Sequence, residues 1–491
     1  MSQLQNYEAY TRLVDINLMK PFFRNPILLF LLNRYVSYGF LFVRGLIIAK
    51  FLGTYYFGIW GFLTLVLQYL SYSTFGINYA ITVQLSTESQ KEEVKNGLYS
   101  SVALLSTLIL DLLLIGIGII VQYSGIELFS RFEFNHYVLF IVIIAGLSNL
   151  QQVLINIYRV EKKIFRIAIV EIFTAIVLMI SALIFRENQL IKSQITTLLL
   201  TGILSILILV YQLPFRFRLR IDKNIIKSLF KLGFPLFFYN LSFFLITIAP
   251  RSVVSAFYSV EILGFFTLAN SIAYSTLLGL QSVAWAIYPE VLSKTTLDKS
   301  NESTFDTINT INLLYNTTCF LLVFIVVLLL PILFLYLPQY RPAIPIVTIL
   351  LLSQAVLATS FGFNALAVSR KKQQEVAIIG IEVVLLITLL SILASYIHLH
   401  QIWIAFIGLL GSFIYILFQV RLGSKLINPN QSFWGEFQKM YPVGIIVAIF
   451  INIFGSFTDM PIIWSSVALG ILIITNLSNI KSLWLFVMTK R

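Results

Sequence analysis

Three arginines stand where a charge is expensive. Arg34 lies near the middle of a long apolar stretch, in Asn33-Arg34-Tyr35, and Arg44 follows ten residues later in the same stretch. Arg251 follows Pro250 near the end of another. A charged side chain in hydrocarbon costs about 2.5–3.5 kcal/mol on insertion scales, so each needs a partner, a wet cavity or an escape to the interface. On one helix, Arg34 and Arg44 are separated by about 15 Å of rise and roughly 80° of azimuth, compatible with lining one cavity at two depths. A guanidinium is permanently charged and forked, which suits phosphate and pyrophosphate. Several of them in a cavity point to an anionic substrate; snorkelling to the interface or structural pairing is the bland alternative.

Three acids are embedded as well. Asp111 sits deep in an apolar stretch, whereas Glu171 and Glu382 lie about one turn inside the ends of two others. The two glutamates are expected to pair with neighbouring basic loops. Asp111 can neutralise an arginine or carry a proton, and the three together are the candidates for coupling to a proton or sodium gradient. Neutral polar residues recur at helical spacing: Gln68, Tyr72 and Tyr79; Asn270, Tyr274, Gln281 and Trp285; and Asn149, Gln152 and Asn156. Such faces serve as helix–helix glue; amides beside aromatic rings also suit a sugar passage, with hydrogen bonds for hydroxyls and apolar faces for C–H surfaces.

The elements that must position these groups are membrane helices. Of the 491 residues, 58% are hydrophobic and only 11% charged, against about 25% charged in a soluble domain. Mean hydropathy is +0.90. A soluble enzyme, a disordered scaffold and a nucleic-acid-binding domain are excluded. Apolar stretches over 27–49, 57–84, 98–121, 137–158, 167–185, 194–213, 232–254, 263–288, 308–334, 343–368, 376–396, 402–422, 442–457 and 462–478 are long enough to cross a bilayer. The expected fold is an all-α polytopic membrane protein of about 14 transmembrane helices. Continuous apolar runs, rather than alternation over roughly ten residues, argue against a barrel.

The single cysteine, Cys319, allows no internal disulfide, and His136, His398 and His400 make no convincing metal site. No cofactor is expected, and without a GxxxxGK[ST] loop neither is ATP hydrolysis. Arg12, Asp15, Lys20 and Arg24 make the N-terminus too polar for a cleavable signal peptide. The net charge of +13 falls in short clusters in alternate loops: Arg159, Lys162, Lys163 and Arg166; Arg216, Arg218, Arg220, Lys223, Lys227 and Lys231; Arg370, Lys371 and Lys372. Loops 255–262 and 397–401 contain no Lys or Arg. The positive-inside rule then puts the basic loops and both termini in the cytoplasm. No loop is long enough for the extramembrane domain that a glycan-assembling enzyme usually needs.

The chain also resembles itself at an offset of a little over 200 residues. Phe57-Gly58 is echoed by Leu263-Gly264, Ser148-Asn149 by Ser353-Gln354, Lys162-Lys163 by Lys371-Lys372, and Glu171 by Glu382. Six spans separate each pair, so the repeat is parallel. The expected organisation is a cytoplasmic N-terminal segment (1–26), an N-lobe (27–213), a basic cytoplasmic linker (214–231), a C-lobe (232–422), and two C-terminal helices with a cytoplasmic tail (423–491): two six-helix lobes in parallel repeat plus two.

Together these landmarks resemble the Wzx-type O-antigen repeat-unit flippases, the polysaccharide-biosynthesis branch of the multidrug/oligosaccharidyl-lipid/polysaccharide exporters. The residues that carry the resemblance are the arginine-bearing first span with Phe51-Leu52-Gly53-Thr54-Tyr55-Tyr56-Phe57-Gly58 after it, Phe75-Gly76-Ile77, and Leu263-Gly264-Phe265. The resemblance implies a bacterial inner-membrane flippase, not an enzyme, carrying an undecaprenyl-pyrophosphate-linked oligosaccharide across the bilayer by alternating access for O-antigen or related lipopolysaccharide synthesis. A polysaccharide polymerase and a chain-length regulator are the implied partners. It implies substrate contacts for Arg34, Arg44 and Arg251, to which the polar faces add Asn33, Gln68, Tyr72, Asn270 and Tyr274. A cation-coupled multidrug exporter of the same superfamily is the alternative, which the arginines disfavour; a membrane glycan polymerase is the third.

Overall fold

The computed structural model describes residues 26–87, 93–124, 127–186, 188–295, 301–427, 433–458 and 460–477. The expected segment 1–26 and the tail after 477 therefore lie almost wholly outside the described residues. Within them the chain is helical throughout. In order come α1 (Pro26–Leu70), α2 (Ile77–Thr87), α3 (Glu93–Tyr123), α4 (Val138–Val160), α5 (Ile164–Ile184), α6 (Asn188–Val210), α7 (Lys223–Phe257), α8 (Val260–Lys294) and α9 (Asn301–Tyr336). There follow α10 (Ile344–Ala358), α11 (Phe361–Ser369), α12 (Gln373–Tyr396), α13 (Ile402–Ile427), α14 (Phe433–Met440), α15 (Val443–Gly455) and α16 (Pro461–Thr475). Eleven of these stretches are long and apolar enough to cross a membrane unaided, and the two last helices are shorter apolar ones. At 1.5 Å per residue the 13 residues of α15 rise only about 20 Å. The protein is an all-α, multi-pass membrane protein.

The first two expected spans are one element bent at Gly53, whose φ of 67° and ψ of −178° lie in a region open to glycine alone. The bend frees carbonyls, and the buried Tyr340 hydroxyl reaches those of Gly53 (2.9 Å) and Ala49 (3.1 Å). The second span, expected to be continuous over 57–84, breaks at 71–76, where Phe75 (φ 47°) and Gly76 (φ 89°) turn the chain before α2 resumes. Gly76 is needed for a second reason: a Cβ there would lie 2.3 Å from the Gly233 carbonyl oxygen on α7. The tenth span, expected over 343–368, is also split, because the Thr359 and Ser360 hydroxyls turn back onto the carbonyls of Val356 and Leu357. The expected linker 214–231 is not all linker. Asp222 caps α7 by accepting from the amides of Asn224 and Ile225, so the helix begins within it.

Helices α1 and α3 to α8 pack so that α5 and α6 support the first part of α1, while α4 lies between α3 and α6. α12 runs along α7, and α13 joins α10 to α12. The halves meet through α1 against α8 and α2 against α7. At the α1–α8 contact, a Cβ on Gly58 would strike the Val260 carbonyl oxygen, and one on Gly264 would lie 2.3 Å from the Thr54 carbonyl oxygen. Adding 206 to a residue number carries Thr54 to Val260 and Gly58 to Gly264, so these contacts exchange under the repeat offset. That exchange is what two parallel repeats related by a pseudo-twofold axis would produce, and the glycines mark where the backbones of α1 and α8 come together.

Candidate functional site

The first part of α1 carries Asn33 and Arg34 on one turn and Tyr38 on the next. Arg34 does not stand alone: its Nη2 lies 3.3 Å from Glu171 Oε1 on α5, with Nε at 3.4 Å. The two side chains keep 23% and 18% of their exposure, so the pair borders a space that water can enter. The Arg34 guanidinium sits 5.8 Å from the Tyr38 ring centre. Tyr274 on α8 and Arg159 at the end of α4 both lie within reach of the Arg34 charge. Tyr72 lies near Tyr79 and Tyr274. The result is two guanidinium groups, one carboxylate and a ring of phenols contributed by five separate spans.

This geometry corrects the expected partner of Glu171. It reaches the embedded Arg34 rather than the neighbouring basic loop, because a half-buried carboxylate and a half-buried guanidinium each remove the other's desolvation cost. Glu382, its sequence echo, is exposed on the outward side of α12 beside Ile378, Ile381 and Leu385. It makes no ion pair among the described residues; in the adjoining basic loop Lys372 pairs instead with Glu375. The repeat therefore places the two glutamates on different surfaces, and Glu382 stands apart from the site.

Arg44 and Arg251 also lie elsewhere. Arg44 points between helices of the first half, donating to Gln194 Oε1 at 2.7 Å and lying 5.6 Å from the Trp60 ring centre. Gln194 in turn donates to Ser181 at 2.7 Å. Arg251 is 5% exposed and hydrogen-bonds the Gly61 carbonyl and the Thr64 hydroxyl. It ties α7 to α1, joined one residue later by Tyr69 to Ser252 at 2.6 Å. Both arginines are thus bound by neutral oxygens away from Arg34, and the single two-depth cavity expected for Arg34 and Arg44 does not form. Gln68 is exposed, and the Asn270 amide donates to the Phe266 carbonyl of its own helix. The Asn33 amide nitrogen is buried with no bonded partner. Asp111, 2% exposed, accepts from Asn149 at 2.8 Å in a separate cluster.

Beside Arg34 a cavity of about 710 Å³ opens between α1, α8 and α9. Tyr35, Tyr38 and Phe42 form one wall, Ile272 and Leu278 a second, and Leu322, Val326 and Leu329 a third. Tyr35 closes one side by donating to the Gly279 carbonyl at 2.8 Å. Tyr38 belongs to both regions, so a polar group at Arg34 and an apolar chain in the cavity would be neighbours.

A family model described as polysaccharide biosynthesis protein matches residues 47–301. The chain belongs to this family. Among solved structures it is similar to the lipid II flippase MurJ in an inward closed conformation, at 16% identity and a TM-score of 0.68, over 94% of this chain and 100% of that one. It is also similar to an inward-facing multidrug resistance MATE family transporter of the MOP superfamily, at 14% identity and a TM-score of 0.64, over 81% of this chain and 96% of that one. These likenesses establish a shared fold. No curated protein matches the sequence.

Tyr38 and Arg159 are the site residues that sequence reasoning missed. Tyr38 stands four residues after Arg34 and so on the same helix face, which is a usable signal. Arg159 reads as one more loop cation, because nothing local says that α4 continues to Val160.

Proposed function

We propose that this protein is a flippase for a lipid-linked oligosaccharide, moving it between leaflets by alternating access of the two halves. The observation that carries this reading is the net-positive cluster of Arg34, Arg159 and Glu171 beside an apolar cavity. Phosphate oxygens would take the place of the Glu171 carboxylate on Arg34, a charge-assisted exchange that leaves no guanidinium stranded in low dielectric. Tyr38, Tyr72, Tyr79 and Tyr274 offer hydroxyls and ring faces to sugars. The apolar cavity between α1, α8 and α9 receives the first isoprene units, while the rest of the lipid stays in the bilayer. In bacteria the matching carrier is undecaprenyl pyrophosphate and the product an O-antigen or related surface polysaccharide. The basic loops face the cytoplasm of the inner membrane, a polymerase and chain-length regulator act on the delivered unit, and a proton or sodium gradient drives the cycle.

The test is reconstitution into liposomes with a lipid-pyrophosphate-linked oligosaccharide and, in parallel, a cationic dye. The lipid-linked sugar is expected to change leaflets and the dye to stay. Arg34→Ala is expected to slow flipping by about tenfold or more, the equivalent of about 1.4 kcal/mol of lost binding, while still inserting in the membrane. Dye movement without sugar movement overturns the proposal in favour of drug export.

A further inference from the structure

Asp111 lies well inside α3, eighteen residues after its first residue and twelve before its last, near the middle of the apolar span Asn96–Tyr123. Its side chain is sealed against α4, where a Cβ on Gly146 would lie 3.2 Å from its own Cβ. Asn149 Nδ2 bridges two acceptors, Asp111 Oδ1 at 2.8 Å and the Ser73 hydroxyl at 2.9 Å. Asp111 Oδ2 is buried and has no hydrogen-bond partner among the described residues. The hydroxyl of Thr107, one turn earlier on the same helix, and that of the adjoining Ser106 are likewise buried without a hydrogen-bond partner among the described residues. Ser73 belongs to the 71–76 break of the second span, whose backbone is not held by a continuous helical ladder.

Among the described residues the surroundings bring no countercharge. From the break and α2, the titratable groups are Tyr72 and Tyr79, which lie near each other. On α4 they are Tyr158 and Arg159, nine and ten residues beyond Asn149. On α7, Lys223, Lys227 and Lys231 lie in the first turns, Tyr239 follows, and Arg251 is held by Gly61 and Thr64. Among the described residues only Asn149 bonds the carboxyl. No group of three or more metal-ligating side chains exists among the described residues, and Asn149 presents N–H rather than a lone pair to Asp111.

We propose that Asp111 is a proton-binding site whose occupancy is sensed by the broken segment of the second span. An unpaired carboxylate sealed from water is among the most costly groups a protein can hold. A proton on Oδ2 removes that charge and leaves Oδ1 accepting from Asn149, so the sealed arrangement belongs to the protonated form. When the proton leaves, Oδ2 requires new donors, from Thr107 or from water admitted as the break moves. The break also carries Tyr72, packed on Phe244 of α7 with ring centres 4.6 Å apart, and Gly76, pressed on Gly233. Proton release at Asp111 therefore loosens a contact between the halves, and by linkage closing that contact favours proton uptake. The proton comes from water on one side and is released to water on the other, with no other chemistry. This inference rests on the transport reading above for its use, but not for its existence.

The experiment takes the full chain in lipid nanodiscs and records infrared spectra of wild type and Asp111→Asn across pH. A carboxylic-acid C=O band present at lower pH, lost as pH rises and missing from Asp111→Asn is expected. Asp111→Asn mimics the neutral form and is expected to unfold at the wild-type temperature. In liposomes, an imposed pH gradient is expected to accelerate flipping by wild type, and Asp111→Asn to lose that stimulation. Absence of a band dependent on Asp111, a band that ignores pH, or stimulation by a sodium gradient alone each overturns the proton site. If wild type flips no lipid-linked sugar at all, the transport reading fails while the spectral titration still decides the proton site.

Discussion

At the scale of single residues, the decisive feature is that Arg34 is held rather than loose. Its ion pair with Glu171 crosses 137 positions of sequence and remains partly exposed, so its worth to stability is modest, about 0–1 kcal/mol. Exchanging the partners, Arg34→Glu with Glu171→Arg, restores an ion pair but hangs the guanidinium from α5 instead of α1. The double variant is expected to unfold within a few degrees of wild type while flipping remains at least about tenfold slower, measured by thermal unfolding and liposome assay together. Recovery of flipping by the exchange would show that only the pair matters and not where the cation sits. Arg34 was legible as a site from the cost of its charge alone. Its partner was not, because any embedded acid satisfies the same argument and only packing selects among Asp111, Glu171 and Glu382.

At the scale of elements, glycines decide where helices bend and where they touch. Gly53 has open space around its missing Cβ, so its role is purely conformational. Gly53→Ala is expected to destabilise the protein by about 1–3 kcal/mol through backbone strain, seen as a lowered unfolding temperature. Gly58 and Gly264 are the opposite case, since their Cβ positions run into carbonyl oxygens of the other half. Backbone cannot swing aside as a side chain can, so Gly58→Ala and Gly264→Ala are expected to force α1 from α8 at a cost of about 1–3 kcal/mol. Cysteines introduced at Thr54 and Val260 should then cross-link less readily than in the parent. The sequence repeat pointed to Gly58 and Gly264 as equivalents. That they meet each other's neighbours follows from how α1 packs on α8, which no local pattern encodes.

At the scale of the whole molecule, charge placement carries the expectation of orientation. The basic segments at 159–166, 214–231 and 370–372 share one side by chain topology, because an odd number of spans separates each from the bare loops 255–262 and 397–401. Cysteines placed at Leu219 and at His400, both in loops on opposite sides, are expected to react with a membrane-impermeant thiol reagent in opposite vesicle orientations. Leu219→Cys should label only in inside-out vesicles, as the positive-inside rule requires. The buried native Cys319 should stay unlabelled in both.

Composition and run length by themselves determined that the chain crosses a bilayer many times as helices, because backbone polar groups in hydrocarbon have few ways to be satisfied. They also determined which charges demanded an account. Tertiary structure alone decided which of those charges meet. Arg34 found Glu171, Arg44 found Gln194, Arg251 found two oxygens of α1, and Asp111 found only an amide. The reason is physical: the cost of burying a charge depends on the residue, whereas its relief depends on what other helices bring within about 3 Å.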